Sequence, residues 1–459
     1  MNKVIGDILP RLESSFKGEL ITQKDNAYDD AREIYNAMID KRPQLIAKCT
    51  NTEDVIAAVK FGRENQLDTA IRCGGHNGPG LALVDEGLVI DLSEMKGIQV
   101  NPDKKTVRVE GGCTWGDVDK ATHEHGMATV SGIISTTGVG GLTLGGGHGY
   151  LTRKYGLTID NLVSADVVLA DGNMVRASKD ENSDLFWALR GGGGNFGVVT
   201  TFEYKLHPVH TVIAGPMFWP IDQLENTLRW YREWLPNAPE DVYAFYLTAE
   251  VPAGDPFPKE LHGKKVCGLL WCFTSSEDEA QPFLQEARDV AKPILELVGP
   301  LPYPTLQSMF DELYAPGMQW YWKGDFVKEI SDEAIQKHKE FSEVPSMHST
   351  MHLYPVDGAA HRVGEEETTW NHRNANWSMV IAGVDPDPAN VDVISQWAKN
   401  YWEAVHPYTL GGAYINFMME EGQDRIKATY GDNYKRLQKV KAKYDPDNFF
   451  HVNQNIKPG

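Results

Sequence analysis

The sequence predicts an α+β fold of two domains, on three observations. A chain of 459 residues exceeds what one ordinary core serves, since single cores stop growing at about 250–300 residues. Its first part alternates short apolar strands with amphipathic helices, and glycine is clustered there: 74–75, 111–112, 138–149 and 191–197. After His207-Pro208 the clusters stop, and residues 209 to about 410 are richer in Trp, Tyr, Pro and charge.

The first elements follow from pattern and caps. Leu45 to Cys49 reads as an apolar strand. Thr52 is the expected N-cap of the next helix, with Glu53 and Asp54 in the first turn, where the dipole favours acids. Val55, Ile56 and Val59 supply its apolar face. Ala70 to Arg72 returns as a strand and delivers the chain to Cys73-Gly74-Gly75-His76. Leu88 to Leu92 and Thr106 to Val109 are further strands, and Thr114 to His125 is a helix. Leu162 to Ala170 is a strand that enters a hairpin turn at Asp171-Gly172. Near the end, Tyr434 to Tyr444 is a basic helix stopped by Asp445-Pro446-Asp447.

Composition excludes several functions. The 41% hydrophobic and 24% charged fractions are those of a globular protein. A net charge of −20, from 64 acids against 44 bases, disfavours nucleic acid and anionic lipid, whose binding needs Lys and Arg against phosphates. No stretch approaches the roughly 20 apolar residues of a membrane span, and Met1 to Arg11 holds no signal-like apolar run. A cytoplasmic enzyme is expected. Five cysteines, an odd number, argue for free thiols. Cys73 with His76, and His123 with His125, lack a second pair at closed-site spacing, so no metal is expected.

The glycines carry chemistry. In Gly138-Val139-Gly140-Gly141-Leu142-Thr143-Leu144-Gly145-Gly146-Gly147, backbone N–H groups can converge on a phosphate that a Cβ would keep away. Gly192-Gly193-Gly194-Asn195-Phe196-Gly197 matches the GxGxxG fingerprint formally. That fingerprint needs a strand before it and a helix after. Here a helix-like Asp184 to Arg190 precedes and a strand-like Val198 to Phe202 follows, so a Rossmann site is rejected.

Taken together, these segments resemble the berberine bridge enzyme-like FAD-linked oxidoreductases of the vanillyl-alcohol oxidase and p-cresol methylhydroxylase (PCMH) superfamily. The resemblance runs through Arg72-Cys73-Gly74-Gly75-His76-Asn77, Gly138 to Gly149, Arg153 to Leu162, Asp184 to Thr200, Gly412 to Phe417, Tyr444-Asp445-Pro446 and Asn453 to Ile456. It implies a two-subdomain PCMH-type FAD-binding module over 1–208 and a substrate domain over 209–410, with a central antiparallel sheet flanked by helices. Residues 411–459 would return to the FAD module.

The resemblance also implies roles. His76 stands where the family bonds histidine to the 8α-methyl of FAD. The second, cysteinyl link of some relatives falls on Ile134, which has no nucleophile, so a single linkage is expected. Around the flavin the resemblance places Arg72, Gly74, Gly75, Asn77, Thr137, Gly138, Gly140, Gly141, Leu142, Gly145, Gly146, His148 and Gly149. Asp160, Asn161, Gly197, Val198, Val199, Asn416, Asn453 and Asn455 complete the cofactor set. Thr137 falls at the position that gates oxygen, and its valine-like size points to an oxidase. Tyr414, with Thr137, is an expected catalytic residue, positioning the substrate or taking its proton as a base, and is placed with Asn416 on one face of a strand. Tyr321, Trp322 and Lys323, with Trp320, form an aromatic and cationic cluster toward the substrate. His348, His352 and Tyr354 are read as one alternating strand whose side chains could enter the same cavity. The implied reaction is hydride transfer from a small alcohol, amine or phenolic substrate to flavin N5, with O2 as final acceptor. A dehydrogenase with another acceptor and a non-catalytic flavin-binding relative are the alternatives, and the oligomeric state stays open.

Overall fold

The computed structural model describes residues 5–459, with side chains from residue 9 onward. The reading of the first residues falls partly on 1–4, outside the described residues.

Three larger sheets organise the described residues, beside a two-stranded pair of Met127–Ala128 and His207–Pro208. In the first, Leu45–Lys48 and Thr69–Arg72 both pair parallel with Leu88–Asp91, and Glu19–Thr22 adds an antiparallel edge. The intervening helix Thr52–Glu64 packs Val55, Ala58 and Val59 on this sheet. Its N-cap is Asn51 rather than Thr52: the Asn51 side chain accepts the Asp54 N–H at 3.0 Å, one residue earlier than expected. Asn and Thr are both capping residues, and the extended φ of Asn51 (−159°) decides between them.

The second sheet runs Ile98–Asn101, Thr106–Glu110, Val198–Lys205, Leu162–Val168, Met174–Ser178, with every neighbour antiparallel. The helix Trp115–His123 beside it starts in a capping box, Thr114 with Asp117. Ser183–Leu189 is a helix and Val198–Lys205 a strand, the order opposite to a Rossmann turn.

The third sheet has eight strands, all antiparallel, with order Leu295–Glu296, Thr211–Pro220, Lys265–Phe273, Val242–Glu250, Thr350–Pro355, Trp377–Asp385, Gln319–Val327; Gly299–Pro302 also pairs with Thr211–Pro220. The helices Leu224–Trp234, Glu277–Val290, Asp332–Glu340 and Val391–Val405 cover one face, packing on Ala244, Tyr246, Met351 and Leu353. Alternate residues Tyr243, Phe245 and Tyr354 belong to the opposite face, which packs against Val130, Tyr150 and Leu151 of the glycine-rich half. Period-two alternation therefore lays one face of this sheet on helices and the other on the first half of the chain. No helix among the described residues is long and apolar enough to cross a membrane.

Candidate active site

A cavity of about 310 Å³ is walled by all three sheets and their loops. None of its lining residues is Asp, Glu, Lys or Arg, although the chain carries a net charge of −20. One part of the wall is glycine backbone. Gly74 and Gly138 sit back to back: a Cβ on either would lie 2.4 Å or 2.3 Å from the other's backbone nitrogen. Only glycine allows two backbones that close. Gly141 and Gly194 also line the cavity, and a Cβ built on either meets nothing within 4 Å, so their bare backbone faces open space.

His76 leaves the Thr69–Arg72 strand into this wall. Its ring stacks on Tyr35 at 3.9 Å and 18°, and its Nε2 lies 3.1 Å from Thr136 Oγ1. Tyr35 is itself pinned, donating to the Tyr314 carbonyl at 2.6 Å. Burial, partly offset by a hydrogen bond to the Thr136 backbone, pushes the imidazole down to about 4. At neutral pH the ring is uncharged.

Beyond the helix Val139–Gly145 the backbone turns sharply through Gly146 (φ 126°) and Gly147 (φ 73°) and aims His148 into the cavity. The Gly147 N–H donates to Tyr414 Oη at 3.2 Å, and Asn416 Nδ2 donates to the same oxygen at 2.7 Å. Asn416 Nδ2 also reaches the Gly141 carbonyl at 3.0 Å. Tyr414 and Asn416 are not on a strand. Tyr414 caps a single 3-10 turn, Ile415–Phe417, which still brings the two side chains together. Desolvation holds the Tyr414 phenol well above its ordinary pKa, so it keeps its proton at neutral pH.

The eight-stranded sheet completes the wall with aromatic side chains. His352 and Tyr354 face the cavity, with His352 Nδ1 2.5 Å from Tyr354 Oη, while Met351 and Leu353 point to the helices. Trp320 and Trp322 likewise face inward.

The residues from 43 to 178 match the family of FAD binding domains, and 413 to 457 match the berberine and berberine-like family. An FAD-linked oxidoreductase of Dictyostelium discoideum is 33% identical over 92% of this chain and 91% of its own. This chain belongs to the FAD-linked oxidoreductases. It is also similar to the (R)-6-hydroxynicotine oxidase of Paenarthrobacter nicotinovorans, 28% identical over 97% of both chains. The crystal structure of 6-hydroxy-D-nicotine oxidase from Arthrobacter nicotinovorans superposes with a TM-score of 0.87 at 26% identity, over 97% of this chain and 99% of that one.

The wall of this FAD-linked oxidoreductase fits the cofactor. Bare backbone at Gly141 and Gly194 leaves room for a pyrophosphate, and the cavity holds no carboxylate to repel it. Gly75, Asn77, Thr137, Gly140, Leu142, Gly197, Val199 and Asn453 line the same cavity. Others of the expected set sit elsewhere, each with a different partner. Arg72 is paired at 2.6 Å with the fully buried Asp91. Gly145 and Gly146 back onto the Asn416 side chain and the Trp370 ring, and Gly149 onto the Ser131 carbonyl. Asp160 forks with Arg373, and Asn161 holds the Tyr155 and Leu157 carbonyls. Val198 packs into the first sheet's core, and Asn455 lies outside the lining, its carbonyl accepting from Gln423.

In the substrate half of the FAD-linked oxidoreductase, four consecutive residues were expected to act as one cluster, and alternation splits them. Tyr321 and Lys323 point to the helix face: Lys323 pairs with Glu421 at 2.8 Å and lies over Trp402, and Lys399 sits over Tyr321. His348 precedes the Thr350–Pro355 strand and does not line the cavity. Tyr35, Gly193, Gly194, Tyr314 and Phe417 line it without having been singled out. Gly193 and Gly194 stood in the rejected fingerprint, and Phe417 adjoined Asn416; for Tyr35 no local signal exists.

The 131–137 loop of the wall rests on a buried acid. Asp119 is 1% exposed and accepts from Gln307 Nε2 at 3.2 Å, while Gln307 also donates to Ser131 Oγ. Burial, only partly countered by Gln307, pushes its carboxyl up to about 7. The folded protein therefore holds a proton there that the unfolded chain releases above its ordinary acid range. This group's stabilising contribution is complete below pH 4, falls as pH rises to about 7, and then levels. Asp119→Asn should remove that fall, which amounts to up to about 4 kcal/mol. Urea denaturation of both proteins at pH 4.5 and 7.5 measures it, and equal slopes would refute the assignment.

Proposed function

We propose that this protein is an FAD-dependent oxidase that carries its flavin on His76 by a single covalent link and oxidises a small organic molecule, with O2 reduced to hydrogen peroxide. The observation that carries this reading is the uncharged His76 ring, stacked on Tyr35 in the wall of a cavity with glycine backbone on one part and aromatic side chains on another. FAD supplies, when bound, a two-electron acceptor for a substrate hydride. The chain would position and enclose. His76, Gly141, Gly194 and Asn453 would hold the cofactor; Trp322, His352 and Tyr354 would orient the substrate. Tyr414, protonated, accepts from Asn416 and Gly147 and donates to the Leu142 carbonyl at 3.4 Å, so it would position the site rather than serve as a free base.

Ile134 lies among Tyr35, Tyr314, Trp320 and Trp322 without a nucleophile, which favours the single link. Thr137 at the wall, and relatives named as oxidases, favour oxygen as acceptor. In this reading the enzyme works in the cytoplasm on a small molecule, and its net charge disfavours nucleic acid and anionic membranes.

The test is a denatured mass spectrum beside acid precipitation of the purified protein. A yellow pellet whose mass exceeds the chain by one FAD is expected; no flavin in pellet or supernatant overturns the reading. Photoreduction under nitrogen followed by air then decides the acceptor. Rapid return of the oxidised spectrum supports the oxidase, and slow return makes the protein a dehydrogenase.

A further inference from the structure

Most polar side chains of the cavity wall spend hydrogen bonds inside the protein: Tyr35 on Tyr314, His352 on Tyr354, Asn416 on Tyr414 and Gly141. His148 does not. It is 5% exposed, and both of its ring nitrogens are buried without a partner. A buried imidazole with two unmade hydrogen bonds needs a reason, because folding gives nothing back for its lost water. Its neighbours supply no partner: the rings of Tyr414, Tyr354, Phe417 and Trp370 stand 4.8, 5.2, 5.5 and 6.2 Å away, centre to centre.

The position is built rather than incidental. The turn that presents His148 is tied down on both sides: Thr158 N–H donates to the Gly147 carbonyl at 2.9 Å and Gly149 N–H to Thr152 Oγ1 at 2.9 Å. The side chain is held in an aromatic box that opens on the cavity.

We propose that His148 is the specificity-determining contact of this site, accepting a hydrogen bond from the hydroxyl of an uncharged aromatic substrate. This rests on the function proposed above and names its substrate class. Burial pushes the imidazole down to about 3, so a bare acceptor nitrogen is present at neutral pH. The wall holds no Asp, Glu, Lys or Arg, so an ammonium or carboxylate would enter without a counter-charge, which a dry cavity penalises heavily. The aromatic side chains offer rings to stack on. A site built to bond a hydroxyl also rejects the analogue that lacks it, since the imidazole is then left unpaired.

The experiment uses the purified full chain and a panel of benzyl alcohol, benzyl methyl ether, benzylamine and benzoate, with affinities read by ligand-observed NMR. Flavin content is measured on the same sample. Benzyl alcohol should bind at least about 10-fold more tightly than the other three. His148→Phe, which keeps a ring and deletes the nitrogens, should abolish the preference of alcohol over ether and leave the ether's affinity unchanged. Binding of benzylamine or benzoate as tight as the alcohol overturns the proposal, as does a His148→Phe protein that keeps the preference, or a panel in which nothing binds. The wild-type panel decides even where the variant does not fold. A flat panel on flavin-loaded protein sinks this inference alone. Absent flavin with the expected panel sinks the oxidase reading alone.

Discussion

Replacing His76 by Ala should release the flavin from the chain completely: the acid-precipitated variant turns white, and its mass equals that of the polypeptide. The His76 imidazole faces the cavity uncharged at neutral pH, because burial has pushed its pKa to about 4. Cys73 also lines the cavity, but burial pushes its thiol up to about 12, so little thiolate is available as a substitute. Stacking on Tyr35 and the contact with Thr136 fix the imidazole plane before any cofactor arrives. The variant should keep its far-ultraviolet circular dichroism, since His76 anchors no sheet. Flavin that remains in the pellet of His76→Ala would place the linkage on another residue.

The largest loss of stability is expected from Arg153→Met. Arg153 is 2% exposed, and its guanidinium forks onto Asp357 at 2.8 and 3.2 Å. It also donates to the carbonyls of Leu235, Ala238, Pro239 and Val242. One side chain thus closes the end of the helix Leu224–Trp234 and the start of the strand Val242–Glu250 against the glycine-rich half. Methionine fills much of the volume but strands the buried Asp357 carboxylate and removes a donor from four carbonyls, of which Leu235 and Pro239 keep a backbone donor. Breaking such a pair costs about 3–5 kcal/mol, read as a lower midpoint in guanidinium chloride. The double variant Arg153→Met with Asp357→Leu should lose less than Arg153→Met alone, since it removes the stranded charge. A single variant within about 0.5 kcal/mol of wild type would show that the fork does little.

What the sequence determined by itself was local. The pattern began a helix at Thr114, where the structure has its cap, and cap chemistry came within one residue at Asn51, because a cap is a contact between residues three apart. The helix-before-strand order around Gly192 to Gly197 excluded a Rossmann site for the same reason. The glycine string near His76 was legible as a place of close approach, since no other residue tolerates it. Its division of labour was not: Gly141 faces open space while Gly146 turns the chain toward His148, and only the partners across the fold distinguish them. Tertiary structure alone decided which side of a strand each aromatic took. Trp320 to Lys323 are adjacent in sequence, yet successive residues point to opposite faces, and which face is the cavity depends on what packs there. Tyr35 on His76 and Arg153 on Asp357, 204 positions apart, have no signature in either segment alone, because a contact between distant residues is a property of the packed chain.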